Sequence, residues 1–224
     1  RSTLFPYTTL FRSSYVEYLG SDIFQYHEEI RSITFPDSLE YIEANALCGC
    51  ENLEKVIGGK NIVSIGEDAF FNTKYCDKEL WPSLNGILLG YNGFDKEVTI
   101  PESIHTLGAC CLKNKNSLYY AEKVIVPEHV KKISDSAFKG NTAVRSIIIK
   151  SDITELERSV FAECENLEEV VLPATIKTIY PLAFYRCSNL KTVRIPKDTL
   201  LVNESEWDRA VTPFTECKAE IIWY

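Results

Sequence analysis

The chain has 224 residues, with 24 Lys+Arg against 32 Asp+Glu and a formal net charge of −8. A hydrophobic content of 45% excludes a mainly disordered chain. The acidic balance excludes a nucleic-acid partner and an anionic membrane surface, because both require a basic face.

No apolar run approaches the roughly 18–20 residues of a membrane span. The most apolar short stretches are Ile147-Ile148-Ile149 and Ile221-Ile222-Trp223-Tyr224. Residues 1–13, RSTLFPYTTLFRS, have neither the apolar segment nor the small-residue cleavage site of a signal peptide. They read as a translated sequencing adaptor, a non-native leader outside the fold. The sequence contains no Met, which reads as a fragment or processed product of a longer protein.

From residue 14 to 195 the chain repeats itself. Phe35-Pro36, Ile100-Pro101, Val126-Pro127, Leu172-Pro173 and Ile195-Pro196 share one pattern, and Gly59 and Lys150 take the proline position in two further copies. The steps 127→150→173→196 are 23 residues each. Three residues before this anchor stand Ile33, Val56, Val98, Val124, Ile147, Val170 and Val193. Six after it stand Ile42, Ile65, Leu107, Ile133, Leu156 and Ile179. A small-then-large pair follows at ten and eleven: Ala46-Leu47, Ala69-Phe70, Cys111-Leu112, Ala137-Phe138, Val160-Phe161 and Ala183-Phe184. Val16, Leu19 and Phe24 extend the register upstream. The segment before each anchor alternates, as in Val170 in, Val171 out, Leu172 in, and predicts one short strand per turn. The small-large pair predicts a short helical turn or loop packed inward.

Two spacings are longer, 42 residues from Gly59 to Pro101 and 26 from Pro101 to Pro127. The larger insertion, at about 74–97, carries Asn85-Gly86 and Asn92-Gly93 around the β-like segment Ile87–Tyr91 and predicts a projecting hairpin. After Pro196 the register breaks. Residues 196–224 are expected to cap the array, with Trp207, Phe214 and Trp223 covering its end.

The I-P strand end, the A-F pair and the N-L spacing of CENLEEVVLP resemble the BspA-like subclass of leucine-rich repeats. The resemblance implies an α/β repeat, a right-handed, β-rich solenoid of stacked turns with no family-wide catalytic residues. It also implies surface or secreted proteins of host-associated bacteria, and of some protozoa, linked to adhesion. An extracellular or cell-surface location rests on this resemblance alone.

Eight Cys are too few for a disulfide scaffold of this size. Cys50, Cys164 and Cys187 occupy one repeat column, three residues after the large apolar residue, together with His27, Thr73, Lys115 and Asn141. Such a column suits small buried hydrophobes. Cys48 and Cys50 lack the further ligands of a zinc site, so neither metal nor cofactor is expected. His27, His105 and His129 lie on turns where no nucleophile converges, and no catalytic motif appears. The chain therefore reads as no enzyme.

Binding remains. Two residues before each anchor the outward column is Thr34, Ile57, Thr99, Ile125, Ile148, Val171 and Arg194. Ile125, Ile148 and Val171 make an aliphatic stripe, with Arg194 beyond it. The insertion adds the aromatics Trp81, Tyr91 and Phe94. These seven are the candidate binding residues for a protein ligand, of the kind a host extracellular-matrix or cell-surface protein presents. Strand propensity and packing of the insertion account for the same residues without a ligand. The competing function is a structural spacer that carries a separate effector or anchor domain.

Overall fold

The computed structural model describes residues 8–10, 15–113, 121–206 and 209–224. The chain divides into two compact units, residues 1–92 and 93–224.

The first unit holds β1 (Thr8–Leu10), β2 (Tyr18–Leu19), β3 (Ser32–Phe35), β4 (Tyr41–Ile42), β5 (Lys55–Gly58) and β6 (Ser64–Ile65). These are followed by α1 (Lys74–Asp77), β7 (Ser83–Leu84) and β8 (Ile87–Leu88). Strands β1, β3 and β5 form one parallel sheet, and the two-residue strands β2, β4 and β6 form another. Each turn thus contributes two strands rather than the single one expected. The second arises at the aliphatic six residues after the anchor, as at Ile42 and Ile65. Within residues 1–13, read from sequence as a leader, Thr8–Leu10 pairs with Ser32–Thr34 at the edge of the β1–β3–β5 sheet.

The second unit repeats the plan. Its long strands are β9 (Glu97–Thr99), β11 (Lys123–Val126), β13 (Ser146–Ile149), β15 (Glu169–Val171), β17 (Thr192–Ile195) and β21 (Glu220–Trp223), neighbours in one six-stranded parallel sheet. Its short strands are β10 (Thr106–Leu107), β12 (Lys132–Ile133), β14 (Glu155–Leu156), β16 (Thr178–Ile179) and β18 (Leu200–Leu201). β10 pairs with β12, and β14 with β16 and β18. An antiparallel pair, β19 (Glu204–Glu206) and β20 (Arg209–Val211), lies within the C-terminal stretch.

Burial follows the alternation. Val124, Val126, Ile147, Ile149, Val193 and Ile195 are at most 2% exposed, while Ile125 and Ile148 between them are only half-buried. Phe138, Phe161 and Phe184 are fully buried and stack in sequence, with centroids 5.3 and 5.4 Å apart. Phe214 continues the column at 4.9 Å from Phe184. Trp223 is 42% exposed, and Trp207 lies outside the described residues.

The small-large segment is not helical. Its backbone N–H groups reach across to the next turn instead, as in Leu47 N–H to Ala69 O at 2.8 Å and Phe161 N–H to Ala183 O at 2.8 Å. This satisfies groups that burial would otherwise orphan. Among the described residues the corner is closed by two columns of left-handed residues. One column is Asp22, Asn45, Asp68, Cys110, Ser136, Ser159 and Leu182; the other is Tyr26, Gly49, Asn72, Gly140, Glu163 and Arg186. Small polar residues and Gly dominate because positive φ costs them least. Each unit is therefore a leucine-rich-repeat solenoid of about 23 residues per turn with almost no helix, and the connections expected as short helical turns or loops are loops.

At Gly58 (φ +78°) a Cβ would stand 2.2 Å from the Phe35 carbonyl oxygen, which explains why the proline pattern gives way to Gly-Gly here. Where Lys150 replaces proline, its N–H donates to Val126 O at 2.8 Å, a ladder bond proline cannot make.

Candidate functional site: the outward sheet face and the ladders behind it

In the second unit the parallel register places Thr99 beside Ile125, Ile125 beside Ile148, and Ile148 beside Val171. Side chains alternate along a strand, so all four point away from the core. Adjacent strands lie about 4.8 Å apart, giving a continuous row of β-branched groups. Val171 is 43% exposed. Arg194, exposed, takes the outward position on β17 and pairs in register with Ile222. The flanking charges neutralise one another between turns: Lys123–Glu97 at 2.9 Å, Lys96–Glu122 at 2.8 Å and Arg145–Glu168 at 2.5 Å. Exposed pairs of this kind contribute little stability. Their effect is to leave the aliphatic row without a strong field on that side.

The insertion residues behave differently from one another. β7 and β8 form an antiparallel hairpin turned by Asn85 (φ 52°) and Gly86 (φ 72°), the backbone that Asn-Gly favours. Asn85 Nδ2 donates to Lys60 O at 2.7 Å, and Leu84, Ile87 and Leu89 join the core of the first unit. The hairpin is thus packed down rather than projecting. Tyr91 does not face a ligand: it is 2% exposed and its ring packs 4.3 Å from the half-buried Trp81. Burying an aromatic ring against the core outweighs exposing it. Phe94, in the second unit, is 70% exposed.

The cysteine column is a hydrogen-bond ladder. Cys50, Cys164 and Cys187 thiols donate to the carbonyls of Phe24, Phe138 and Phe161, the large residues of the preceding turn, at 3.0, 3.1 and 3.1 Å. Asn141 does the same to Leu112 O at 2.6 Å, and Thr73 bonds Phe70 O in its own turn at 2.9 Å. Lys115 lies outside the described residues. Burial pushes the Cys50 thiol up to about 11 and the Cys164 thiol up to about 12, and raises Cys187 further. These thiols stay protonated and act as donors. None of the eight Cys forms a disulfide, and only Cys217 is more than marginally accessible. A second ladder runs along the N-L motif, with Asn52 donating to Glu28 O and Asn166 to Thr142 O.

Each His is occupied locally: His27 with Gln25 O, His105 with Thr106 Oγ1 and His129 with Pro101 O. Among the described residues no group of three or more His, Cys, Asp or Glu is placed to hold a metal ion. No described helix is long and apolar enough to cross a membrane. A cleft of about 290 Å³ opens where the short-strand ladder is interrupted between β12 and β14. Lys131, Lys132, Glu155 and Glu157 line it, and desolvation raises the Glu157 carboxyl above its ordinary value.

The stacked strands, inward aliphatic columns and asparagine ladder define a leucine-rich-repeat protein. The model of the BspA-type leucine-rich repeat region, in six copies, matches residues 7–119 and 90–207, so the chain belongs to that family. A leucine-rich cell surface protein from Faecalibacterium prausnitzii shares the fold at a TM-score of 0.59, with 24% identity over 97% of this chain and 59% of its own. The chain thus spans about three-fifths of that protein's length. The pneumococcal vaccine antigen PcpA matches at a TM-score of 0.40 and 23% identity, over 76% of this chain and 46% of its own. No curated protein matches the sequence.

Proposed function

We propose that this chain is a non-catalytic protein-binding module of an exported bacterial cell-surface protein, in which the outward face of the six-stranded sheet makes the contact. The observation that carries the reading is the row Ile125, Ile148, Val171, aligned by register on consecutive strands and bordered by self-neutralised charges. A rigid, partly apolar surface of this kind suits a protein ligand better than a small polar molecule. Membership of the repeat family and the fold shared with a bacterial cell surface protein support the surface location. Arg194 extends the row at its far end, and Phe94 supplies an exposed aromatic anchor.

The test is binding of the purified chain to a panel of purified host extracellular-matrix proteins by surface plasmon resonance. Replacing Ile125, Ile148 and Val171 together by Ser is expected to weaken a detected interaction at least tenfold with the thermal midpoint little changed. An unchanged affinity refutes the assignment to this face. A chain that binds nothing, and whose replacement by unrelated repeats of equal length preserves the parent protein's function, favours a spacer.

A further inference from the structure

The second sheet of the first unit carries a different surface. Tyr18 and Tyr41 are register partners on β2 and β4, and their rings stack 4.7 Å apart with planes 9° from parallel. The residues that follow them, Leu19 and Ile42, point into the core at 2% exposure, so both rings stand on the outward side. Tyr18 is 58% exposed and Tyr41 half-buried. Large flat aromatic surface left in water is costly unless something covers it.

The charge around this pair is one-sided. Residues 15–54 hold nine acidic residues and a single basic one, Arg31. Of the acids, Asp37 is paired with Lys60 at 2.6 Å, and Glu54 with Lys74 and Lys78 at 3.6 and 3.5 Å. Glu51 accepts from Asn72. Among the described residues no ion pair neutralises Glu17, Glu40 or Glu43, all exposed. These three adjoin the pair along the chain: Glu17 directly precedes Tyr18, Glu40 directly precedes Tyr41, and Glu43 lies two residues beyond Tyr41. Backbone bonds fix their placement, with Glu40 and Tyr41 N–H groups both donating to Glu17 O and Glu43 N–H to Leu19 O.

We propose that the Tyr18–Tyr41 face is a docking site for a basic segment of a partner protein, with an Arg or Lys side chain laid against the tyrosine rings and ringed by Glu17, Glu40 and Glu43. The ring faces attract a cation through their quadrupole, and the carboxylates add direct attraction that draws the segment in from solution. Guanidinium fits better than ammonium, because its plane lies flat on a ring while its N–H fork reaches a carboxylate. This site is separate from the aliphatic row of the second unit, so its failure leaves that reading standing.

The test uses the full chain and fluorescein-labelled nona-arginine, nona-lysine and a neutral Gly-Ser peptide, read by anisotropy at 50 and 150 mM NaCl. Nona-arginine is expected to bind more tightly than nona-lysine, and the neutral peptide not to bind. Tyr18→Ser with Tyr41→Ser is expected to weaken nona-arginine about tenfold, while Tyr18→Phe with Tyr41→Phe, which keeps the rings, stays within about twofold. Glu17→Gln, Glu40→Gln and Glu43→Gln together are expected to weaken binding and flatten its salt dependence. Circular dichroism and the thermal midpoint serve as the folding check, since none of these side chains is in the core. The proposal is overturned if nona-arginine fails to bind the parent chain, or binds the Ser variant as tightly as the parent. It is equally overturned if a neutral oligosaccharide binds this face and the basic peptides do not.

Discussion

Phe161→Ala tests the packing argument most directly. Phe161 is fully buried and stacks between Phe138 at 5.3 Å and Phe184 at 5.4 Å. A Phe buries about 150–250 Å², worth about 4–6 kcal/mol at about 25 cal/mol per Å², of which the alanine methyl retains a small part. Two ring contacts add about 0.5–1.5 kcal/mol each, and partial collapse of the neighbours gives some of this back. The expected loss is therefore about 4–5 kcal/mol, measured as a fall in the urea midpoint followed by circular dichroism. Turns in a solenoid are stabilised by their neighbours, so the effect also spreads. Amides that bridge this corner, Phe138 N–H to Val160 O and Phe161 N–H to Ala183 O, should exchange faster with deuterium. Val171→Ser, on the outward side of the same turn, should cost no more than about 1 kcal/mol. A loss under about 1 kcal/mol for Phe161→Ala, or equal losses for the two variants, refutes the aromatic column as the source of cohesion between turns.

Cys164→Ala should cost about 1–2 kcal/mol, because it leaves the Phe138 carbonyl without its thiol donor, whereas Cys164→Asn should recover part of this, as Asn141 donates to the preceding turn's carbonyl from the same column; urea midpoints decide. Stability should fall as pH rises from about 9 to about 11. Below the ordinary thiol value of 9.0 the folded and unfolded thiols are both protonated; above it the unfolded thiols ionise while Cys50, raised to about 11, and Cys164, raised to about 12, do not. A Cys50→Thr, Cys164→Thr, Cys187→Thr variant should show a shallower fall over that range in the same denaturation assay. With a thiol-disulfide reagent at pH 8, Cys217 should react first and the buried thiols only on unfolding, by mass spectrometry. Ser159→Val should cost about 2 kcal/mol by thermal unfolding, because a β-branched residue fits poorly at φ 56°, while Ser159→Asn should be nearly neutral, as Asn45 holds the same column.

The sequence by itself determined the period, the inward columns and the family. Fixed spacing forces residues such as Val124, Ile147, Val170 and Val193 into register, and no single turn buries its own apolar side. The Asn-Gly hairpin turn was legible because its chemistry is local. What the repeat segment does between its strands needed the tertiary structure. A two-residue strand such as Tyr41–Ile42 carries too little pattern to announce itself and exists only because Tyr18–Leu19 and Ser64–Ile65 lie beside it. The left-handed corners were hinted at by Asn and Gly but masked by Leu182, Glu163 and Arg186, which hold the same geometry under the constraint of neighbouring turns. Tyr91 and Phe94 lie three residues apart in the same insertion, and composition cannot tell that one is buried and the other exposed. The stacked tyrosines of the first unit and the thiol-to-carbonyl ladder join residues about 23–26 positions apart. The repeat column marks Cys50, Cys164 and Cys187 as small buried residues; only the stacking of turns places a carbonyl within reach of each thiol and makes the cysteine a structural donor.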